Sequence, residues 1–189
     1  MKRTLDFIES FSKVRRWSQI HCAREESSLE HTAAVALIAL KIGSRITLEV
    51  NTAELLAKAL LHDMEETITG DIMTPIKYHP ALIGAVKNME KDAAKKVSSI
   101  FGDWAYHYWE TAKDDTIEGY IIRIADKAAV VYKYKQEIAL GNTSFFQYEQ
   151  NIWEALHNIK METPIPELHQ IINELMDILQ EESDGSVYT

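Results

Sequence analysis

The stretch AELLAKALLHDMEETITGDIMTPIKY, residues 53–78, decides the fold class. Residues 53–68 place leucine and alanine at spacings of three and four, the period of an amphipathic helix rather than a strand. Asn51 or Thr52 caps its start, and Gly70 stops it. Inside this helix His62 and Asp63 stand where leucines belong. Glu66 follows, and the polar run after Gly70 ends in a cation, Lys77.

The same spacing extends along most of the chain. A first helix sets Leu5, Ile8, Phe11 and Val14 on one face and ends near Arg15-Arg16-Trp17. HCAREESS, residues 21–28, is a polar connection in which Ser27 and Glu30 have the spacing of a capping box. The helix LEHTAAVALIALKIG follows. After the loop at DIMTP come a helical segment over 81–101, a short helix over 102–110 and a long helix over 114–140 that ends at Gly141. Helices over 145–160 and 165–182 close the chain, with a tail expected to be mobile. No stretch shows convincing strand alternation or an internal repeat. The spacing predicts an all-α fold in a single domain.

Composition narrows the function. A chain of 189 residues with 46% hydrophobic residues is long enough for one domain with a real core. No run approaches the length of a membrane-spanning helix. Asp6 and Glu9 interrupt any hydrophobic stretch of a signal peptide. The single cysteine, Cys22, excludes an internal disulfide and a zinc ribbon, and fits a reducing, cytoplasmic setting, or a host cytoplasm for a viral protein. A formal net charge of −9 disfavours nonspecific nucleic-acid binding. It leaves room for a small phosphorylated ligand, which needs only a few local cations.

His31, His62, Asp63 and Asp126 are out of place on a pure packing reading. Each has an ordinary alternative: a histidine satisfied in the core, or an aspartate paired with a nearby cation, as Arg123 could pair Asp126. Together, two imidazoles and two carboxylates make a mixed nitrogen–oxygen set suited to a divalent metal. A six-coordinate ion on four such ligands keeps positions for water or substrate, as hydrolysis requires. Glu66 lies four residues after His62 and three after Asp63, on the same helix face, and could serve as general acid or base. Glu65 reads as solvated. His21, His79, His107, His157 and His169 have no ligand spacing with this set.

The order His31, His62-Asp63, Asp126 resembles the H…HD…D pattern of HD-domain metal phosphohydrolases. HDMEETITGDIMTPIKY and, upstream, RRWSQIHCAREESSLEH are similar to the 5′-deoxynucleotidase branch, over roughly residues 5 to 140. The resemblance implies an HD-domain helical bundle in which His31, His62, Asp63 and Asp126 hold Co²⁺, Mn²⁺, Zn²⁺ or Mg²⁺. It implies Glu66 and Asp63 as the catalytic carboxylates. Arg16 would meet the substrate phosphate, and Trp17 would be a wall that leaves no space for a 2′-hydroxyl. Asp71, Ile72, Met73 and Thr74 would line the sugar and phosphate, with Lys77 neutralising charge. It also implies a homo-oligomer. The residues themselves offer WAYHYW and FFQYEQNIWEAL as aromatic surface compatible with an interface, and no membrane partner is expected.

Two departures bear on selectivity. Ser18 and Gln19 follow the Arg-Trp pair where the family often has proline, and Gln19 could hydrogen-bond a base. Met73 stands where proline is common. A related phage branch removes triphosphate from dATP with similar motifs, so the phosphate count stays open. A noncatalytic nucleotide sensor and a helical interaction module are the readings from other classes. The complete set with Glu66 speaks against a decayed site. A cyclic-dinucleotide phosphodiesterase would need further ligands and a Gly-Tyr-Pro motif, both absent from the sequence.

Overall fold

The computed structural model describes residues 1–183, and the tail beyond lies outside the described residues. The helices are α1 (Lys2–Phe11), α2 (Ser28–Gly43), α3 (Thr52–Leu61), α4 (Glu66–Thr69) and α5 (Thr74–Lys77). They continue as α6 (Ile83–Ser98), α7 (Asp103–Glu110), α8 (Ile117–Ala139), α9 (Glu149–Glu162) and α10 (Pro166–Ser183). A 3₁₀ segment, Thr143–Tyr148, leads into α9. Among the described residues there is no strand, only an isolated bridge between Arg15 and Ser27. The all-α expectation holds.

The centre is α2, α3 and α8 packed together. α2 is apolar nearly all round and buries Val35, Ala36, Ala39 and Ile42. α8 buries Ile121, Ile122, Ile124, Ala125, Ala129 and Val131 against it, and α9 and α10 add Ile152, Leu156, Leu168, Ile171 and Ile172. A second cluster, Phe7, Phe11, Leu61, Met64, Ala94, Val97 and Ala105, ties α1, α6 and α7 to the end of α3. A helix that is apolar all round is stable only inside a bundle. No helix among the described residues is long and apolar enough to cross a membrane.

Caps fix where the site-bearing helices begin. Ser27 and Glu30 form the expected capping box of α2, with Ser27 Oγ accepting from the Glu30 amide at 3.2 Å. Asn51 caps α3 by accepting from the Glu54 amide at 3.2 Å. Thr116 caps α8 by accepting from the Gly119 amide at 3.1 Å. Gly119 is required there, because a Cβ would sit 2.2 Å from the Asp114 carbonyl oxygen. Lys58, buried on α3, donates to Asp114 and Thr116, both at 2.9 Å. The start of α8 is thereby locked to α3.

Several expectations are corrected. The helix expected to run on to Gly70 stops at Leu61, and residues 62–65 form a tight turn before α4. The cause is local: His62 Nδ1 bonds the Ala59 carbonyl at 2.8 Å, and the following amides turn back onto nearer carbonyls, as Met64 does to Leu61 at 3.1 Å. The first helix ends at Phe11, before Arg15-Arg16-Trp17, and buries Phe7 and Phe11, whereas Leu5 is 60% exposed. The larger aromatic pair fills the cleft. Glu65 is buried rather than solvated, because Trp109 Nε1 donates to it at 2.5 Å. Residues 74–77 form one helical turn rather than loop. In the stretch 145–156, Phe145 is buried and Tyr148 and Trp153 pack on the core, so its aromatic surface is mostly inward.

Candidate active site

His31 lies in the first turn of α2, and its amide donates to the capping residue Ser27 at 3.0 Å. His62 and Asp63 follow the last turn of α3. One ligand atom each from His31, His62 and Asp63 lies within 4.8 Å of the others. Asp63 Oδ2 is 3.0 Å from His62 Nε2 and 3.9 Å from His31 Nε2. The Ala59 carbonyl fixes the His62 ring, since Nδ1–H donates to it and Nε2 is left turned towards Asp63. His62 Nε2 is buried with no hydrogen bond assigned to it among the described residues, and Asp63 Oδ2 is its near polar neighbour at 3.0 Å. A buried, unpartnered nitrogen beside a carboxylate and a second imidazole fits a divalent ion. Burial, and then Arg16, hold the His31 imidazole below its ordinary value, in the neutral form that ligates.

Asp126, on α8, stands beside these three groups rather than within the tightest set. Its Oδ1 is 3.0 Å from His31 Nε2, and its Oδ2 accepts from Lys113 Nζ at 2.5 Å. The alternative partner read from the sequence, Arg123, is engaged elsewhere: it donates to the Lys113 carbonyl at 2.9 and 2.6 Å and to Asp115 at 2.8 Å. Asp126 stays well below its usual value despite burial, because Lys113 and His31 oppose the burial cost.

Glu66 reaches this centre from the turn rather than from a continuous helix face. Ser28 Oγ donates to its Oε2 at 2.6 Å, and its Oε1 is 3.8 Å from Arg16 Nη1. The same Arg16 nitrogen donates to Asp63 Oδ2 at 3.3 Å. Burial, and then the Asp63 charge, push the Glu66 carboxyl up to about 8. A bound dication would counter that rise.

Trp17 is held at both ends. Its backbone has φ 59°, the left-handed region that a bulky residue rarely adopts. Its amide donates to Asp71 Oδ2 at 3.3 Å, and its Nε1 donates to Glu26 Oε2 at 3.1 Å. The indole packs on Phe145 and Tyr148, at 5.6 and 6.1 Å between centroids. Glu26 Oε2 also lies 3.6 Å from Arg16 Nε. Arg16, Trp17 and Asp71 therefore meet at one edge of the cluster. Ile72 and Met73 are half-buried beside them in sequence, and Thr74 and Gln19 are exposed. Lys77 Nζ pairs with Glu90 at 2.8 Å, so its charge is already partnered.

Sequence reading missed Ser28, Glu26 and Lys113. Ser28 follows the capping serine, and a second hydroxyl there was the available signal. Glu26 and Lys113 sit in connections with no motif spacing to the ligands.

A helical bundle that gathers histidines and an adjacent His-Asp pair from α2 and α3, with an aspartate from α8 alongside, defines the HD-type metal phosphohydrolase class. Known proteins place the chain more narrowly. It belongs to the YfbR-like 5′-deoxynucleotidase family, which it matches over residues 4–176. A 5′-deoxynucleotidase of Photorhabdus laumondii is 31% identical over 141 residues, covering 70% of this chain and 72% of that protein. An HD-domain phosphohydrolase of Listeria innocua superposes with a TM-score of 0.79 at 28% identity, covering 98% of this chain and 92% of that one. The cyanophage S-2L HD phosphohydrolase DatZ, solved with dA and one catalytic Zn²⁺, shares the fold at a TM-score of 0.57 and 18% identity, over 96% and 94% of the two chains.

Proposed function

We propose that the chain hydrolyses the 5′-phosphate of 2′-deoxynucleoside monophosphates to deoxynucleoside and phosphate, with a divalent ion on His31, His62, Asp63 and Asp126. The observation that carries this reading is Arg16, whose Nη1 lies 3.3 Å from Asp63 and 3.8 Å from Glu66. A guanidinium there brings a phosphate fork, a metal carboxylate and a proton-handling carboxylate to one point. The Photorhabdus relative, a 5′-deoxynucleotidase, supports the substrate class.

When bound, the ion supplies Lewis acidity to a phosphoryl oxygen and lowers the pKa of water. The chain's residues do the rest. Arg16 orients the phosphate. Glu66, steadied by Ser28 at 2.6 Å, takes a proton from the attacking water or gives one to the leaving 5′-oxygen. Trp17, fixed by Asp71 and Glu26, closes the sugar side; an added 2′-hydroxyl would meet the indole and lose its water. The ligand chemistry accommodates Co²⁺, Mn²⁺, Zn²⁺ or Mg²⁺.

Product analysis tests the reaction. With dAMP and dATP as substrates, the expected products are deoxyadenosine and inorganic phosphate from dAMP. Inorganic triphosphate released from dATP, with dAMP untouched, would replace the reading with that of a triphosphohydrolase. The proposal extends to a cytoplasmic homo-oligomer. Leu37 on α2 and Tyr132 on α8 are exposed apolar groups that a partner chain would cover. Light scattering that finds a fully active monomer removes that part.

A further inference from the structure

Arg16 and Lys113 are the cations nearest the ligand carboxylates, and Arg16 alone has a role so far. Lys113 lies in the connection between α7 and α8, and its Nζ is 2.5 Å from Asp126 Oδ2. That connection is built to hold it. The Lys113 carbonyl accepts twice from Arg123, at 2.9 and 2.6 Å, and Arg123 is itself held by Asp115 at 2.8 Å and stacked on Tyr120 at 4.9 Å. The next residue, Asp114, is tied to Lys58 at 2.9 Å and to Thr116 Oγ1 at 2.5 Å. A backbone clamped on both sides aims the amine at Asp126.

The two oxygens of Asp126 divide the work. Oδ1 faces His31 and Oδ2 faces Lys113, at 3.0 and 2.5 Å. A metal taken by Oδ1 therefore leaves the Lys113 contact in place. An ammonium has three N–H donors, and Asp126 is the one acceptor of Lys113 Nζ among the described residues. The side chain is 41% exposed, so the amine is not closed off by the fold, and two N–H donors are left over from the Asp126 contact. Lys77, the cation that the sequence offered for phosphate, is paired with Glu90 at 2.8 Å.

We propose that Lys113 is a phosphate-binding residue of this site, anchored on Asp126 and donating to a phosphate oxygen on the α8 side while Arg16 holds the phosphate from the Asp63 side. This deepens the proposed function and rests on it for the identity of the phosphate ester. The test is calorimetric titration of inorganic phosphate into the metal-loaded chain, for the parent, Lys113→Met, Lys113→Gln and Lys113→Arg, with bound metal counted in each. Loss of a charge-assisted hydrogen bond should weaken phosphate binding roughly ten- to a hundredfold in the Met and Gln variants. Metal content should stay at the parent level, and Arg should restore most of the affinity. In kinetics with dAMP, KM should rise while inhibition by deoxyadenosine stays unchanged. Phosphate affinity equal to the parent in the Met and Gln variants overturns the proposal. So does loss of metal in step with loss of phosphate binding, which would make Lys113 only a support for Asp126. A parent chain that binds no phosphate overturns it too. Lys113-dependent phosphate binding in a chain that hydrolyses no deoxynucleotide would instead remove the proposed substrate and leave Lys113 in its role.

Discussion

Replacing Glu137 by glutamine should destabilise the protein strongly and loosen the substrate edge, although Glu137 touches no ligand residue. Its carboxylate is fully buried and accepts from the amides of Ala23 and Arg24 at 2.7 and 3.1 Å, from Asn142 Nδ2 at 2.7 Å and from Lys133 Nζ at 2.6 Å. Lys133 is buried as well and also donates to the Arg24 carbonyl. Glutamine keeps the shape, removes the charge and turns an NH₂ towards donors. Breaking a buried ion pair by removing one partner costs about 3–5 kcal/mol. For a chain of this size that lowers Tm by roughly 6–20 °C. The anchored segment runs on to Glu26, which holds Trp17 at 3.1 Å, so KM should rise as well. The pH dependence has a definite sign. The Glu137 carboxyl is depressed from 4.5 to about 2 by its donors, which outweigh burial. Its contribution is complete above 4.5 and is lost as pH falls through about 2. Denaturant melts of parent and variant should therefore differ most above 4.5 and converge in acid. A difference under about 1 kcal/mol at neutral pH, the scale of an exposed pair, would refute the reasoning.

The site makes three further predictions. His62→Ala and Asp126→Ala should lose bound metal and activity while circular dichroism still reports a helical fold; parent-like metal content and turnover in both would undo the ligand assignment. Glu66→Ala should keep metal and dAMP binding and lose about two to four decades of kcat; a near-normal kcat at full metal occupancy would make Glu66 a structural carboxylate on Ser28 and Arg16. Trp17→Ala should narrow the ratio of kcat/KM between a deoxynucleotide and its ribonucleotide; an unchanged ratio would shift sugar choice to Asp71.

Much of the bundle was legible because its helices are written in their spacing and their caps. Ser27 with Glu30 and Asn51 mark helix starts in the sequence and in space. The break after Leu61 was not legible, because it comes from a side-chain bond of His62 within an unbroken apolar pattern. Spacing also offered Leu5 and Phe11 as one face; the choice of Phe7 with Phe11 depends on Phe101, whose ring meets Phe7 edge-on at 5.2 Å. For the site, His31, His62 and Asp63 were readable as polar groups on apolar helices. Glu65 and Lys113 were not, since their partners Trp109 and Asp126 become neighbours only through the tertiary fold. Lys77 carries a charge at a motif position, and its pairing with Glu90 on α6 is set by the tertiary fold.

Metal dependence and sugar choice meet in one measurement: phosphate release from dAMP and AMP by the chain stripped with a chelator and then titrated with Co²⁺, Mn²⁺, Zn²⁺ or Mg²⁺. The expected result is no release from the stripped protein, release from dAMP that rises with bound metal until the centre of His31, His62, Asp63 and Asp126 is filled, and little release from AMP at any loading. Equal release from both nucleotides, or release that ignores the metal, would contradict it.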